Sequence, residues 1–270
     1  MSWRPAHAAA GFAADLPTTA PLVPDVAPGA VIPAARMTQV SHVAWPEAST
    51  QDALSETFEV SRIVARRALD ILEAEGLIDR VRGGGAFVRR YQPLVRRSAL
   101  HYKSDPSAPF AEEALASDRV PKYSHQTYPE RAAADIAARL RISVSADVMK
   151  TDYVSLANDE PMMIVHSYEP LAITKGTIIE RPEEGPHMGA GLVNRFTAIG
   201  KRPTAVVERL RARMPRPSET KQLQLRPGTP VMIIVRTTYS EDGTPLETAD
   251  LLLDAHRFEL EYALKVDPSQ

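Results

Sequence analysis

Apolar positions between residues 49 and 75 recur at helical spacing, in two stretches separated by a short turn. Ser49 or Thr50 can cap a first helix that extends to Phe58, because a hydroxyl oxygen accepts a hydrogen bond from an amide of the first turn. Ser61 can cap a second helix in the same way. That second helix has one apolar stripe, formed by Val64, Ala68, Leu69 and Leu72.

The pattern then changes to two short β-prone runs, residues 77–82 and 86–91, which flank the glycines Gly83, Gly84 and Gly85. Two short strands around a glycine turn predict a β-hairpin. Gly76 ends the preceding helix, because glycine accepts the left-handed backbone of a helix C-terminus. Two helices joined by a tight turn and followed by a hairpin form a winged helix-turn-helix, which we predict over residues 45–92.

Helical and strand-like segments alternate between residues 121 and 264. The pattern predicts helices over residues 129–140, 189–200 and 218–225, and strands over residues 148–156, 162–168, 204–214, 231–239 and 246–253. The segments ARLRISVSADVMKTDYVSLANDEPM and QLQLRPGTPVMIIVRTTYSEDGTPL share the order helix end, strand, acidic turn, proline, strand. We therefore predict an α+β fold with two related halves in one mostly antiparallel sheet, helices on one side, and a ligand cleft between the halves.

The remaining segments have weaker patterns. Residues 1–44 contain six prolines, which remove backbone donors and predict a mostly irregular arm. We interpret residues 93–120 as a linker with one short helical turn at AEEALA, and residues 265–270 as a tail.

Composition narrows the class of protein. The chain has no cysteine, which excludes disulfides and thiolate metal sites and fits a reducing cytoplasm. No apolar run approaches the roughly 18 to 20 residues of a membrane span, and the N-terminus lacks the pattern of a signal peptide. The histidines are not paired at metal-ligand spacing, so we expect neither a metal nor a cofactor.

The charge is unevenly distributed although the net charge is only −2. Residues 80–97 contain six arginines and no acidic residue, which predicts a local basic patch: Arg80, Arg82, Arg89, Arg90, Arg96 and Arg97.

The start of the second helix carries the candidate DNA chemistry. Ser61, Arg62 and Arg66 stand where a helix in the major groove of DNA contacts base edges, and arginine suits a guanine edge or a phosphate. The alternative is an amphipathic helix whose arginines are merely solvated. A nucleotide-binding glycine loop does not fit, because the glycines precede a strand and not a helix.

The stretch LSETFEVSRIVARRALDILEAEGLIDRVRGGGAFV resembles the DNA-binding domain of GntR-family bacterial transcription regulators. The resemblance implies a winged helix-turn-helix that binds double-stranded DNA. The positions it implies for DNA contact are Thr50 and Gln51 at the entry, Ser61, Arg62 and Arg66 on the second helix, and Arg82, Gly83, Gly84 and Gly85 in the wing.

Residues 121–264 resemble the effector-binding UTRA domain of the HutC subfamily through ADIAARL, DEPMMIVHSYEP, RARMPRPSETKQLQL and VRTTYSEDGTPLETADLLL. The resemblance implies a small-molecule site that uses Ser167, Tyr168 and Glu247. Members that sense sugar phosphates carry arginines where this chain has Tyr153 and Ser155, so we expect an effector other than a sugar phosphate. Ordinary strand polarity is the alternative explanation of Ser167 and Glu247.

Together these observations predict a cytoplasmic homodimeric transcription regulator, a repressor released from an inverted-repeat operator by an effector. Two alternatives stay open. One is a ligand-binding or protein-interaction module that has lost specific DNA binding. The other is an enzyme on the similar chorismate lyase fold, for which the sequence offers no cluster of acid and base residues.

Overall fold

The computed structural model describes residues 50–89, 92–102 and 109–264. The predicted arm over residues 1–44, the alternative cap Ser49 and the tail over residues 265–270 lie outside these described residues.

The N-terminal domain, residues 50–89, begins with two capped helices. Helix α1 (Gln51–Thr57) is capped by Thr50, whose hydroxyl accepts a hydrogen bond from the Ala53 amide at 3.1 Å. Helix α2 (Arg62–Ala74) is capped by Ser61, which accepts from the Val64 amide at 3.4 Å. Both caps confirm the sequence-based prediction.

The buried stripe of α2 differs from the predicted one by a rotation of the helix. Ala65, Leu69 and Leu72 are buried, whereas Val64 is 46% exposed. Residues 65, 69 and 72 lie in one row of the helix surface, and Val64 points about 100° away from Ala65. The prediction that Val64 belongs to the core was therefore wrong.

The predicted hairpin is present with shorter strands. Strand β1 (Ile78–Val81) pairs antiparallel with β2 (Gly85–Val88), and Val81 lies opposite Gly85. Gly83 and Gly85 have φ of +77° and +97°, a region that only glycine adopts readily. The three glycines therefore make the wing turn and the first residue of the returning strand.

The linker interpretation of residues 93–120 needs correction, because two parts of this segment are built into the second domain. Strand β3 (Leu94–Arg97) and a 3-10 turn (Ser98–Tyr102) are followed by α3 (Pro109–Leu115). Strand β3 pairs in parallel with β10 (Phe258–Glu261), at the other end of the domain. Leu94, Phe110 and Phe258 are all buried in one cluster. A four-residue strand whose partner is distant in sequence leaves almost no local periodicity.

The second domain is built on a six-stranded antiparallel sheet in the order β4-β5-β6-β9-β8-β7. Its strands are β4 (Pro121–Arg131), β5 (Asp147–Ala157), β6 (Glu160–Pro170), β7 (Pro203–Arg213), β8 (Val231–Ser240) and β9 (Pro245–Asp254). Its helices are α4 (Ala134–Leu140), α5 (Leu171–Thr174), α6 (Gly191–Ala198) and α7 (Pro217–Leu223), with a 3-10 turn at Gly185–His187. We call this unit the sheet domain.

The sheet domain consists of two β-α-β-β halves that meet at β6 and β9. The first half is β4-α4-β5-β6 and the second is β7-α7-β8-β9. This arrangement confirms the two related halves in a mostly antiparallel sheet. The predicted helix over residues 129–140 was wrong in its first part, because residues up to Arg131 belong to β4. That strand is an edge strand with mostly exposed residues, so it lacks the alternation that identifies a half-buried strand.

Both faces of the sheet are covered, which corrects the prediction of helices on one side. Val165 of β6 packs in the cluster of Phe110 and Phe258. Its neighbour Ile164 packs against Leu223 of α7 on the opposite face. Because successive strand residues point to opposite faces, Met163 and Val165 of β6 face α3, whereas Ile164 and Tyr168 face the clusters of α7 and α4.

Within the part of the chain that the structure describes, no helix has the length and apolarity needed to cross a membrane.

Candidate functional site

The N-terminal end of α2 presents the polar side chains that the sequence singles out. Ser61, Arg62 and Arg66 are exposed. Arg62 pairs with Asp52 at 3.0 Å, but both side chains are more than half exposed, and such surface pairs contribute at most about 1 kcal/mol. Arg66 makes no ion pair with any described residue. Both guanidinium groups are therefore available to a polyanion.

Thr50 and Gln51, at the entry to the N-terminal domain, stabilise the fold in addition to any contact with DNA. The Thr50 hydroxyl caps α1, and the Gln51 side-chain amide donates to the Arg62 carbonyl at 2.8 Å. This second bond ties the start of α1 to the start of α2. It therefore fixes the position of the residues that the sequence assigns to base contacts.

The wing turn is open on its outer side. Arg82, Gly83 and Gly84 are exposed, and a Cβ atom built on Gly83 would meet no atom within 4 Å. Gly85 begins β2 and is half-buried. The turn therefore offers backbone amides and the Arg82 guanidinium to a groove or a phosphate.

The predicted basic patch over residues 80–97 is largely neutralised, which corrects the sequence analysis. Arg80 pairs with Asp70 and lies 3.6 Å from Glu73. Arg89 pairs with Asp79 at 3.0 Å. Arg96 pairs with Glu208 at 2.7 Å, as part of the sheet domain. Arg97 lies 3.6 Å from Glu261, and Arg90 is outside the described residues.

A buried polar cluster lies on the sheet face that α3 covers. The Ser167 hydroxyl donates to Glu247 Oε1 at 2.9 Å. Arg236 donates to the same carboxylate at 2.7 Å, and Thr238 lies within 3.4 Å of its second oxygen. Glu247 is fully buried. Strands β6, β9 and β8 thus bring together a hydroxyl, a carboxylate and a guanidinium that are far apart in sequence.

Tyr153 and Ser155 lie on the same face, one strand further along the sheet. The Tyr153 hydroxyl donates to Glu183 Oε1 at 2.9 Å, and burial raises the pKa of this phenol. Ser155 is buried, two residues further along β5. Because Thr151 is paired with Ser167 across β5 and β6, the odd-numbered residues of the two strands share one face.

Tyr168 does not belong to this set. It lies on the other face of β6, packed against the α4 cluster around Ile136 and Val148. Lys150 Nζ lies 5.6 Å from the centre of its ring. A shift of one residue along a strand reverses the face, so Ser167 and Tyr168 cannot both line the same cluster.

Two buried ion pairs beside the cluster were missed by the sequence analysis. Arg195 of α6 binds Glu169 of β6 through two hydrogen bonds, at 2.7 and 2.9 Å, and both side chains are buried. Arg96 donates to Glu208 at 2.7 Å, and Tyr102 donates to the same carboxylate. Arg195 occurs in the apolar helix segment LVNRF, a position where only a paired charge is tolerated. That placement is the signal that could have revealed it.

In the Arg96–Glu208 network, burial and hydrogen bonds shift the pKa values of Tyr102 and Glu208 in opposite directions. Burial raises the pKa of Tyr102 to about 12. Burial alone would also raise the pKa of Glu208, but the hydrogen bonds from Arg96, Tyr102 and Tyr262 outweigh it and lower the pKa. Glu208 is therefore held as a carboxylate in partly buried surroundings. No group of three metal-ligating side chains occurs among the residues that the structure describes.

Comparison with known proteins agrees with this division into two domains. Residues 50–88 match the gntR family of bacterial regulatory proteins, and residues 116–259 match the UTRA domain. An HTH-type transcriptional regulator of Streptomyces coelicolor is 31% identical over 224 residues, which cover 80% of this chain and 83% of that protein. The HTH-type transcriptional repressor NagR of Bacillus subtilis is 27% identical over 206 residues, or 76% of this chain and 79% of that protein.

Solved structures show the same architecture. The crystal structure of a GntR-family transcriptional regulator has a TM-score of 0.67 at 32% identity and covers 86% of this chain and 95% of that one. PhnF from Mycobacterium smegmatis has a TM-score of 0.55 at 19% identity, covers 86% of this chain and 99% of that one, and shares the fold. The two sequence relatives and the first of these structures are transcription regulators and not enzymes, and the combination of domains fits the HutC subfamily. The chain belongs to the GntR family of bacterial transcription regulators, with a DNA-binding helix-turn-helix domain followed by an effector-binding UTRA domain.

Proposed function

We propose that this regulator is a cytoplasmic homodimeric repressor that binds an inverted-repeat operator and releases it when a small molecule occupies the sheet domain. The observation that carries the DNA-binding part is the exposed start of α2, where Ser61, Arg62 and Arg66 point away from the fold. Residues at this end of a recognition helix contact base edges in the major groove. The wing turn would contact an adjacent groove or the backbone through Arg82.

The repressor assignment is supported by the relative NagR, which is a transcriptional repressor. A dimer places two recognition helices on two half-sites, and the symmetry of the protein then matches an inverted repeat. Release follows from linkage, since a ligand that prefers the state unable to bind DNA lowers operator affinity. A preference of about 100-fold corresponds to about 2.7 kcal/mol of operator binding free energy.

The buried cluster around Glu247 is the proposed effector site, with Tyr153, Ser155 and Ser167 as further contacts. The three arginines in and beside it are already engaged, Arg236 with Glu247, Arg195 with Glu169 and Arg96 with Glu208. A dianionic phosphate would have to displace one of these carboxylates and leave it without its buried partner, which is costly. We therefore propose an effector that carries hydroxyl or amide groups and no phosphate.

Thermal-shift screening of small metabolites, followed by displacement of DNA taken from the region upstream of the regulator's own gene, tests this proposal. We expect at least one unphosphorylated compound to raise the melting temperature and release the DNA. Ser167→Ala should weaken that release by up to about tenfold, because one hydrogen bond to the effector contributes about 0.5–1.5 kcal/mol. Tyr168→Phe is the matched control, since it removes a hydroxyl on the opposite face.

Two results would contradict the assignment of the effector site to the cluster around Glu247. One is an equal loss of response in Tyr168→Phe and Ser167→Ala. The other is release of the DNA by a sugar phosphate alone.

A further inference from the structure

The N-terminal domain packs against a loop of the sheet domain, and backbone atoms form the closest part of this contact. The loop, residues 226–229, connects α7 to β8. A Cβ atom on Gly228 would lie 2.2 Å from the Ala74 carbonyl oxygen and 2.6 Å from the Gly76 amide nitrogen. No other residue type fits at position 228 without moving the end of α2 away. We call residues 226–229 the docking loop.

Two arginines, one from each domain, form ion pairs with the carboxylate of Asp79 beside this backbone contact. Arg89 of the N-terminal domain has a side chain only 3% exposed and lies 3.0 Å from Asp79. It also donates to Thr229 Oγ1 at 3.1 Å and to the Pro227 carbonyl at 3.4 Å. Arg226 of the docking loop pairs with Asp79 from the other side. Arg89, which the sequence places in a basic patch, is thus buried against the docking loop.

The contact leaves the proposed DNA surface free. It uses the C-terminal end of α2 and the base of the hairpin, whereas Ser61, Arg66 and Gly83 are exposed. The docking loop therefore restricts the orientation of the recognition helix without covering it. The loop also leads directly into β8, the strand that carries Arg236, the partner of Glu247 in the proposed effector site.

We propose that the docking loop is an intramolecular binding surface for the DNA-binding domain, and that it holds the recognition helix in the orientation that the operator requires. A helix held in advance loses less orientational freedom when it binds DNA, so docking raises operator affinity. A movement of β8 on effector binding reaches the DNA-binding domain through this loop. The part of the proposal that concerns the operator rests on the proposed function, whereas the docking itself does not.

The chain offers a matched pair of glycine variants for the test. Gly228 and Gly243 have φ of +71° and +77°, so alanine strains the backbone similarly at both positions. A Cβ atom on Gly243 meets nothing within 4 Å, whereas one on Gly228 collides with the N-terminal domain. Gly243→Ala therefore controls for backbone strain, and only Gly228→Ala should release the docked domain.

The orientation can be measured directly by pulsed electron spin resonance, because the chain has no cysteine of its own. Spin labels would be attached to cysteines at the exposed positions Glu56 on α1 and Lys221 on α7, and the labelled protein diluted with unlabelled protein to suppress distances between protomers. We expect a single narrow distance distribution for the parent protein and Gly243→Ala, and a broad one for Gly228→Ala. Identical distributions in all three proteins would overturn the docking.

Operator titration of the same variants without labels tests the consequence. We expect Gly228→Ala to bind about tenfold more weakly than Gly243→Ala, which corresponds to about 1.4 kcal/mol. If Gly228→Ala does not fold, as judged by circular dichroism, Arg226→Ala replaces it. Its control is Arg211→Ala, which removes an exposed arginine of β7. A broadened distance distribution with unchanged operator affinity would overturn the role in orientation. Absence of any sequence-specific binding by the parent protein would contradict the proposed function and leave the docking result standing.

Discussion

Neighbouring residues in this chain have opposite environments, and their roles follow from which side of a strand they occupy. Ser167 reaches the buried carboxylate of Glu247, whereas Tyr168 packs on the other face against α4. Arg96 and Arg97 are a second such pair on β3. Arg96 has a side chain 1% exposed and binds Glu208, whereas Arg97 is 46% exposed and lies 3.6 Å from Glu261.

The Arg96–Arg97 pair predicts very different costs for the same substitution. Arg96→Ala removes the partner of a buried carboxylate, so we expect unfolding free energy to fall by about 3–5 kcal/mol. Arg97→Ala removes an exposed pair and should cost less than about 1 kcal/mol. Urea denaturation of the two variants measures both values. Equal losses would show that the Arg96–Glu208 pair does not anchor β3 to the sheet domain.

At the scale of elements, the 3-10 turn and α3 are joined by a titratable contact. His101 Nε2 lies 2.9 Å from Glu113 Oε1, and both side chains are nearly buried. Burial lowers the pKa of His101 below its ordinary value of 6.5, and the nearby charge of Arg96 acts in the same direction, against the hydrogen bond to Glu113. His101 is therefore held neutral in the folded protein.

This contact predicts that acid weakens the fold. Between the ordinary pKa of histidine and the lower pKa of folded His101, the unfolded chain binds more protons, so stability is complete above about pH 6.5 and is lost as the pH falls through the lower value. The slope contributed by one such group is at most about 1.4 kcal/mol per pH unit. Thermal melts of the parent protein and His101→Gln from about pH 7.5 to about pH 5 measure it. The variant should show the shallower dependence, and identical slopes would contradict the assignment.

Some elements could be predicted because their signals are local. Ser61 and Thr50 cap their helices through bonds within the first turn, and the glycine turn makes its own hairpin. Strands β4 and β3 could not be predicted. Edge strand β4 is mostly exposed and therefore lacks the alternation of apolar and polar residues. The short β3 is stabilised by β10, at the far end of the domain.

The same distinction applies to the candidate site. The polar residues of α2 could be found from their spacing, and the placement of Ser167 beside Glu247 follows the family resemblance. The distant hydrogen-bond partners of the buried arginines could not be found from spacing, because Arg96 and Glu208 are 112 positions apart and Arg89 and Thr229 are 140 apart. A cluster of like charges in sequence is therefore not a cluster in the fold.

At the scale of the whole molecule, the regulator combines α2, the proposed recognition helix, with a buried polar cluster. The two are connected through a short path, in which the docking loop contacts the end of α2 and continues into the strand that bears Arg236. We propose that the exposed start of α2 binds a specific DNA sequence.

A fluorescence-anisotropy titration measures this sequence preference. The probes are a labelled duplex from the region upstream of the regulator's own gene and a scrambled duplex of the same composition, each titrated at several salt concentrations. We predict that the parent protein prefers the first duplex by about a thousandfold or more. Arg66→Ala should lose about 1–3 kcal/mol of that preference, whereas Arg211→Ala, which removes an exposed arginine on β7, should retain it. Equal affinity of the parent protein for both duplexes at every salt concentration would contradict sequence-specific binding by α2.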